Sequence, residues 1–470
     1  MSYIEGESRT QRSLFPQAID ELIEANSTVR VIDAFVSGLD LKELGFVRAE
    51  AAQTGRPGYD PADLLKLYVY GYLNQVRSSR RLEREAQRNV ELLWLLGRLT
   101  PDFKTIADFR KDNAAGIVGA CRSFTLFCRG QGLFGAELVA IDGSKFQAVA
   151  SRKQVWDAKR VAKVSAAIDE RIQQYMQQLD HSDAQEPALE KQDTQAALQK
   201  LQEQRKQLQE LAKQLDQSGE SGRVRTEPEA KSMRMAHGQV VPGYNVQSAV
   251  DSKHSLIVAF ELSNEANDRN CLAQMAEQAK EVLGVEELQV VADSGYDNAQ
   301  QMAQCEAFDI TPIVPAQRTS NTAGTGLFHK DQFVYEAQHN AYRCPAGELL
   351  ERKRLDTRNL RVLYSTDACG GCALRAQCTA GQHRTVQRLL FAAAGARANQ
   401  RAKDHPELLR KRSATVEHPF GGMKYLMGTA RFLVRGLKKV KAEIALSVLG
   451  YNLKRVMRIL GARSMMRAFA

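Results

Sequence analysis

The stretch Leu138–Phe146, LVAIDGSKF, constrains this chain more than any other. An apolar run from Leu138 to Ile141 leads straight into one carboxylate, Asp142, followed by Gly143 and Ser144. Apolar residues at consecutive positions suit a strand buried on both faces, and an acid directly after them predicts a strand end at the rim of a sheet. The design recurs in LQVVADSGYD, where Leu288–Ala292 leads into Asp293, Ser294 and Gly295. Two such strands lying side by side bring two carboxylates together. Taken singly, an Asp in either place also reads as a turn former or helix cap.

The elements around these strands follow an alternating order. GYNVQSAVDSKHSLIVAFEL reads as a β-hairpin turning at Asp251-Ser252-Lys253. A helix over Asp268–Leu283 follows, then the strand ending at Asp293, a helix over Asn298–Glu306 capped by Asp297, and a strand in Ile310–Ala316. The expected outcome is an α/β fold with a mixed five-stranded sheet and helices on its faces. Between the first strand and the hairpin, Val161, Val164, Ile168, Ile172, Tyr175 and Leu179 recur at helical spacing. After a break at Asp180–Pro187, Leu198, Leu201, Leu208, Ala212 and Leu215 do the same. These two narrow stripes predict a helical-hairpin insertion over 152–235 that projects from the domain and is suited to dimerisation.

The N-terminal part, 1–130, reads as helical. Asp60-Pro61 is an N-cap followed by Pro at the first helical position. A short helix capped by Ser78 or Ser79 carries Arg80, Arg81, Arg84 and Arg88, another starts at Lys104 or Thr105, and short helices with a basic one among them suit a helix-turn-helix DNA-binding unit. An all-helical packing domain with its arginines in water fits equally. Residues 131–316 are expected to form the first part of the α/β domain, 317–391 a polar insertion containing four cysteines, and 392–470 its helical C-terminal part.

Charge adds direction. The net charge is +10, and from Arg410 onward fourteen Lys or Arg face only Glu417 and Glu443 as acids. That points to an anionic partner, or to a solvated face. Residues 1–20 contain acids and no apolar core of a secretory signal, and no apolar run is long enough to span a bilayer, so a cytoplasmic protein without membrane contact is expected.

The motifs AIDGSKF, PGYNVQSAVD, VVADSGYDN, CGGCALRAQC, VEHPFGGMK and YNLKR, in this order, resemble those of bacterial insertion-sequence DDE transposases, and among them the family numbered eleven eighty-two. The resemblance covers nearly the whole chain. It implies an RNase H-like catalytic domain that cuts element ends and transfers strands by in-line phosphoryl transfer, with Asp142, Asp293 and Glu417 as the acids and Mg²⁺ or Mn²⁺ as cofactor. Hard divalent cations prefer oxygen ligands, and paired ions activate the attacking oxygen and stabilise the leaving one. Glu407 is the alternative third acid. The implied partners are double-stranded DNA, as terminal inverted repeats and as target, and a second copy of the chain in a nucleoid-associated synaptic complex. An RNase H-like nuclease without strand transfer and an inactive DNA-binding derivative are the competing classes.

Related transposases also carry an Arg four residues before the Glu and a Lys seven after it. Lys424 keeps the second spacing, whereas Ser413 stands where the Arg is expected. Helical phase from Glu417 favours Arg410 as the phosphate contact and turns Arg412 elsewhere. Pro419 and Gly421-Gly422 predict a kink between Glu417 and Lys424. Ser144 and Lys145 are further candidates for touching phosphate, or merely close the strand. Cys344, Cys369, Cys372 and Cys378 follow C-x24-C-x2-C-x5-C, which fits a structural Zn²⁺ or four reduced thiols, while Cys121, Cys128, Cys271 and Cys305 sit in apolar helical contexts.

Overall fold

The computed structural model describes residues 18–51, 54, 57–181, 188–219, 222–317 and 327–469. It is a mixed α/β fold centred on five strands: β1 (Leu138–Gln147), β2 (Val240–Asp251), β3 (Ile257–Ser263), β4 (Leu288–Val291) and β5 (Ile310–Ile313). Their order across the sheet is β3-β2-β1-β4-β5, antiparallel from β3 to β1 and parallel from β1 to β5. A sixth short strand, Lys231–Arg234, pairs with the first residues of β2. The crossovers from β3 to β4 and from β4 to β5 carry the helices Leu272–Leu283 and Ala299–Ala307.

Two boundaries differ from expectation, and both bear on the site. β1 does not stop at Asp142 but runs on to Gln147, held by antiparallel pairing with β2 from Val139↔Asp251 to Gln147↔Gly243. The extension is stabilised by Phe146, which is fully buried and stacks on Phe432 with ring centroids 5.6 Å apart. The helix expected from Asp268 begins only at Leu272, which leaves Asp268 in the preceding turn. Asn298, rather than Asp297, caps the next helix by accepting from the Gln300 amide at 3.1 Å; Asp297 instead accepts from the Gln317 amide at 2.8 Å.

The N-terminal helices and the sheet share one hydrophobic core. Pro61–Leu73 and Ala114–Gly130 pack against the long helix Leu437–Leu460. Asp60 caps the first of these, accepting from Ala62 N at 2.8 Å with Pro61 in the opening turn. The arginine-bearing helix spans Ser79–Arg88 after Ser78, which makes no side-chain cap, and the helix Phe103–Asp112 is capped by Asp102.

The insertion between β1 and β2 is a helical pair, Ala158–His181 and Ala188–Ser218, whose described core consists of Trp156, Val161, Ile168, Leu208 and Leu215. Residues 182–187, within the expected break, lie outside the described residues. The cysteine-bearing segment, expected only as a polar insertion, contains a five-stranded antiparallel meander (Val334–Glu336, Ala341–Arg343, Leu349–Asp356, Arg361–Ser365, Val386–Leu389) with its own small core. Among the described residues no helix is long and apolar enough to cross a membrane.

Candidate active site

Register brings the two aspartates together. β1 and β4 are parallel with Ala140 opposite Val291, and Asp142 and Asp293 each lie two residues beyond that pair. β4 ends at Val291, so both carboxylates lie just beyond the end of the parallel pairing, Asp293 after its strand and Asp142 within the extended β1. Asp293 takes the cap of a single turn, Ser294–Tyr296, accepting from Gly295 N at 2.8 Å. Asp142 accepts from Gly143 N at 2.9 Å.

Alternation along β1 puts Asp142, Ser144 and Phe146 on one face and Gly143 and Lys145 on the other. The helix Pro406–Gly421 packs over β1, β2 and β4. Its Arg412 reaches the acids, with Nη1 3.5 Å from Asp142 Oδ1 and Nη2 3.9 Å from Asp293 Oδ2. This corrects the expectation that Arg412 points elsewhere: Arg410 is the exposed one. Lys424 donates to Ser144 Oγ at 2.6 Å and to the Lys145 carbonyl at 2.9 Å, and lies 4.6 Å from the Phe146 ring centroid. Burial, with Lys145 nearby, brings the Lys424 ammonium down to about 8, against the pull of Asp142. Asp142 is pushed up to about 6, chiefly by burial, with Asp293 adding and Arg412 opposing.

The other face of β1 holds a carboxylate that sequence reasoning missed. Asp268 accepts from Asn245 Nδ2 at 2.6 Å, from Gln247 Nε2 at 2.7 Å and from Lys145 Nζ at 3.1 Å. Gln247 in turn accepts from the Tyr296 hydroxyl. Asn245 and Gln247 stand opposite Lys145 and Gly143 on β2. Lys145, a candidate phosphate contact, is therefore tied to Asp268. The clamp also explains the glycine after Asp142: a Cβ on Gly143 would come within 2.3 Å of Gln247 Nε2 and 2.4 Å of Asp268 Oδ1.

Glu417 stands apart from the aspartate pair. It is exposed and accepts from Ser413 Oγ at 2.6 Å. Arg412 and Glu417 are five residues apart, about 140° around a helix, so the phase that turns Arg412 inward turns Glu417 away. The helix runs unbroken through Pro419, and the expected interruption comes at Gly421-Gly422, where the α-helix ends and a π-helical turn, Gly422–Leu426, follows. That wider turn carries Lys424 to Ser144 without Glu417 following. Glu407, the alternative, is exposed beside His405.

A hard divalent cation fits the donors on this face of the sheet: two carboxylates in register on β1 and after β4, and, on the other side of β1, Ser248 Oγ of β2, buried opposite Asp142 with no hydrogen-bond partner among the described residues. Among the described residues, however, no three His, Cys, Asp or Glu side chains are gathered so as to hold an ion. This holds for Asp142, Asp293 and Glu417 together and equally for the expected zinc ligands. Cys344, Cys369, Cys372 and Cys378 do line one small apolar cavity as free thiols.

Of the basic candidates in the N-terminal part, Arg80, Arg81, Arg84 and Arg88 are all exposed on one short helix held by buried Leu82 and Ala86. Arg88 pairs with Glu85, and Arg80 lies 5.2 Å from the Phe103 ring centroid.

Residues 17–112 match the family model described as a transposase domain (DUF772), and residues 343–457, which include Arg412, Glu417 and Lys424, match the one described as a transposase DDE domain. No curated protein and no solved structure matches the chain. These two matches, in this order on one chain, support an insertion-sequence DDE transposase.

Proposed function

We propose that the chain binds the terminal inverted repeats of its own mobile element and catalyses metal-dependent end cleavage and strand transfer, using Asp142 and Asp293 as the metal-holding acids. The observation that carries this reading is the shared register of the two aspartates beyond Ala140↔Val291. The strand order β3-β2-β1-β4-β5, with its antiparallel half and parallel half, supports an RNase H-like catalytic domain. The six motifs in order support the family numbered eleven eighty-two. The exposed arginines on Ser79–Arg88 support an N-terminal DNA-binding domain, and the need to hold two ends together favours a homodimer working in the bacterial cytoplasm at the nucleoid.

Asp142 and Asp293 would hold Mg²⁺ or Mn²⁺, which supplies activation of the attacking oxygen and stabilisation of the leaving one. The chain's own part is positioning. Arg412, inward and 15% exposed, is placed to meet a phosphate oxygen beside the carboxylates. Lys424 fixes the β1 backbone at Lys145 and adds positive charge close to Asp142. Glu417, one helix phase away, completes the acids only if the helix turns about its axis around the π-helical turn that follows.

That placement of Glu417 favours a second reading, a DNA-binding derivative without catalysis. One assay separates the two: strand transfer of a labelled duplex from the end of the encoding element, with Mn²⁺ or Mg²⁺. The transposase reading expects joined products that disappear in Asp142→Asn, Asp293→Asn and Glu417→Gln. Retarded DNA without product supports the derivative, cleavage without joining supports a plain nuclease, and joining that survives Asp142→Asn removes the proposed acids.

A further inference from the structure

Asp142 and Asp293 both lead back to one residue on the opposite face of β1. Asp268 accepts from Asn245 Nδ2, from Gln247 Nε2 and from its ion-pair partner Lys145. Two arms leave this carboxylate. The first runs through Gln247, which is buried and whose Oε1 accepts from the Tyr296 hydroxyl. Tyr296 is fully buried, and its amide donates to the Asp293 carbonyl at 3.1 Å, closing the turn that Asp293 caps. Three hydrogen bonds therefore join Asp268 to the backbone of Asp293.

The second arm is direct contact. The Gly143 amide donates to Asp142 Oδ1 at 2.9 Å, and a Cβ on Gly143 would come within 2.4 Å of Asp268 Oδ1. Gly295, in the Asp293 turn, lies over the other oxygen, with Asp268 Oδ2 3.9 Å from where its Cβ would stand. The glycines beside both acids thus rest on the same carboxylate. The polarity of the first arm is also determined. A carboxylate paired with lysine only accepts, so Gln247 turns its NH₂ to Asp268 and its carbonyl to Tyr296, whose hydroxyl donates. Without the acceptor at 268, nothing holds the Gln247 amide in that orientation, and the buried Tyr296 hydroxyl loses its fixed partner.

We propose that Asp268 is a positioning residue for the two acids: through Gln247 and Tyr296 it sets where the Asp293 turn stands relative to Asp142, and so how tightly the pair binds a divalent cation. The inference rests on the reading of Asp142 and Asp293 as metal-holding acids, and it gives Asp268 no contact with the cation or with DNA. Residues that orient the ligands of a metal ion govern its affinity without touching it.

The test is the Mn²⁺ affinity of the chelator-stripped full-length chain by titration calorimetry, with urea unfolding of each variant alongside. Tyr296→Phe keeps the ring and removes the donor to Gln247; Mn²⁺ affinity should fall about tenfold, and in Asp268→Ala by roughly 10- to 100-fold. The double variant should lose no more than Asp268→Ala alone, because both changes cut one chain of bonds. Asp268→Asn keeps an oxygen for Gln247 while giving up Lys145, and should bind within a few-fold of wild type. Tyr244→Phe is the control: Tyr244 is a fully buried tyrosine of the same sheet whose hydroxyl donates to Glu227 at 2.9 Å. It should lose stability as Tyr296→Phe does and keep wild-type Mn²⁺ affinity. If Asp268→Ala does not fold, Tyr296→Phe and Asp268→Asn still decide the matter. Unchanged Mn²⁺ affinity in Tyr296→Phe, with stability lowered as in the control, overturns the positioning role and leaves Asp268 a purely structural clamp. Asp268→Asn binding as weakly as Asp268→Ala, or losses that add in the double variant, overturn the route through Gln247. Mn²⁺ binding that survives Asp142→Asn, or is absent from the wild type, overturns the reading of the two acids itself, whatever Tyr296→Phe does.

Discussion

Arg412 stands 3.5 Å from Asp142, and the same guanidinium reaches across to Asp293 at 3.9 Å. Neither distance is a good hydrogen bond, and Nη1 is buried without a hydrogen-bond partner among the described residues. The arginine holds positive charge against the two carboxylates that a cation would neutralise. A divalent ion entering there must move Arg412 aside, which costs binding energy. In chelator-stripped protein, Arg412→Gln should therefore bind Mn²⁺ several-fold more tightly than wild type by titration calorimetry, and Asp142→Asn should abolish binding in both backgrounds. Equal or weaker binding by Arg412→Gln would show that the arginine supports the ion rather than competing with it.

The Asp142 carboxyl titrates at about 6 against an ordinary 3.8, chiefly because of burial. Between these values the folded chain keeps a proton that the unfolded chain has released, so stability falls as pH rises through the window. Above pH 6 the full cost is present, roughly 3 kcal/mol at about 1.4 kcal/mol per pH unit. Asp142→Asn mimics the neutral acid. It should melt higher than wild type at pH 7.5 with chelator present, and the two should converge near pH 4. A difference that grows on acidification would contradict the sign.

Gly143 lies against the Asp268 clamp, and only the absence of a Cβ lets Gln247 and Asp268 close over it. Gly143→Ala should cost about 1–3 kcal/mol by overpacking. Asp268→Ala should also destabilise, since it strips Lys145, Asn245 and Gln247 of their shared acceptor. Because the second change vacates space for the first, the double variant should lose less than the two losses added. Simple additivity in urea unfolding would mean that the clamp and the glycine do not touch energetically.

Much of the sheet was legible because apolar runs and turn residues are local signals. The hairpin at Asp251-Ser252-Lys253 and the helix–strand alternation after it follow from periodicity alone. The register of β1 against β4 is not local, yet two matching strand ends made it guessable. Asp268 was hidden because nothing in SNEANDRN marks an acid whose partners, Asn245 and Gln247, lie on another strand. Arg412 was misread because helical phase was counted from Glu417 on the assumption that Glu417 faces inward; burial of Thr415, Val416, Pro419 and Phe420 sets the phase instead. The meander of 334–389 escaped because its strands are short and carry charges on their exposed faces.

The N-terminal helices and the catalytic sheet are joined through Glu443, a residue that reads in the sequence as one acid among many lysines. It is fully buried, accepts from Leu433 N at 2.9 Å and from Val434 N at 3.2 Å, and pairs with Arg77 Nη1 at 3.2 Å. Arg77 also donates to the Arg431 and Gly428 carbonyls, so one carboxylate ties the turn after Val76 to the loop before the long helix. Burial raises its pKa, yet the two amides and the nearby Arg77 and Arg110 act to keep it ionised. Glu443→Ala would leave two buried amides and a guanidinium without their acceptor, a loss of about 3–5 kcal/mol of the kind measured when one partner of a buried pair is removed. Glu443→Gln retains one acceptor and should lose less. If the joint is shared as the packing indicates, protection of amides in Pro61–Leu73 and in Leu437–Leu460 should fall together in Glu443→Ala by hydrogen exchange, because both helices lose the same anchor. Loss confined to one of the two helices would show that they are held independently.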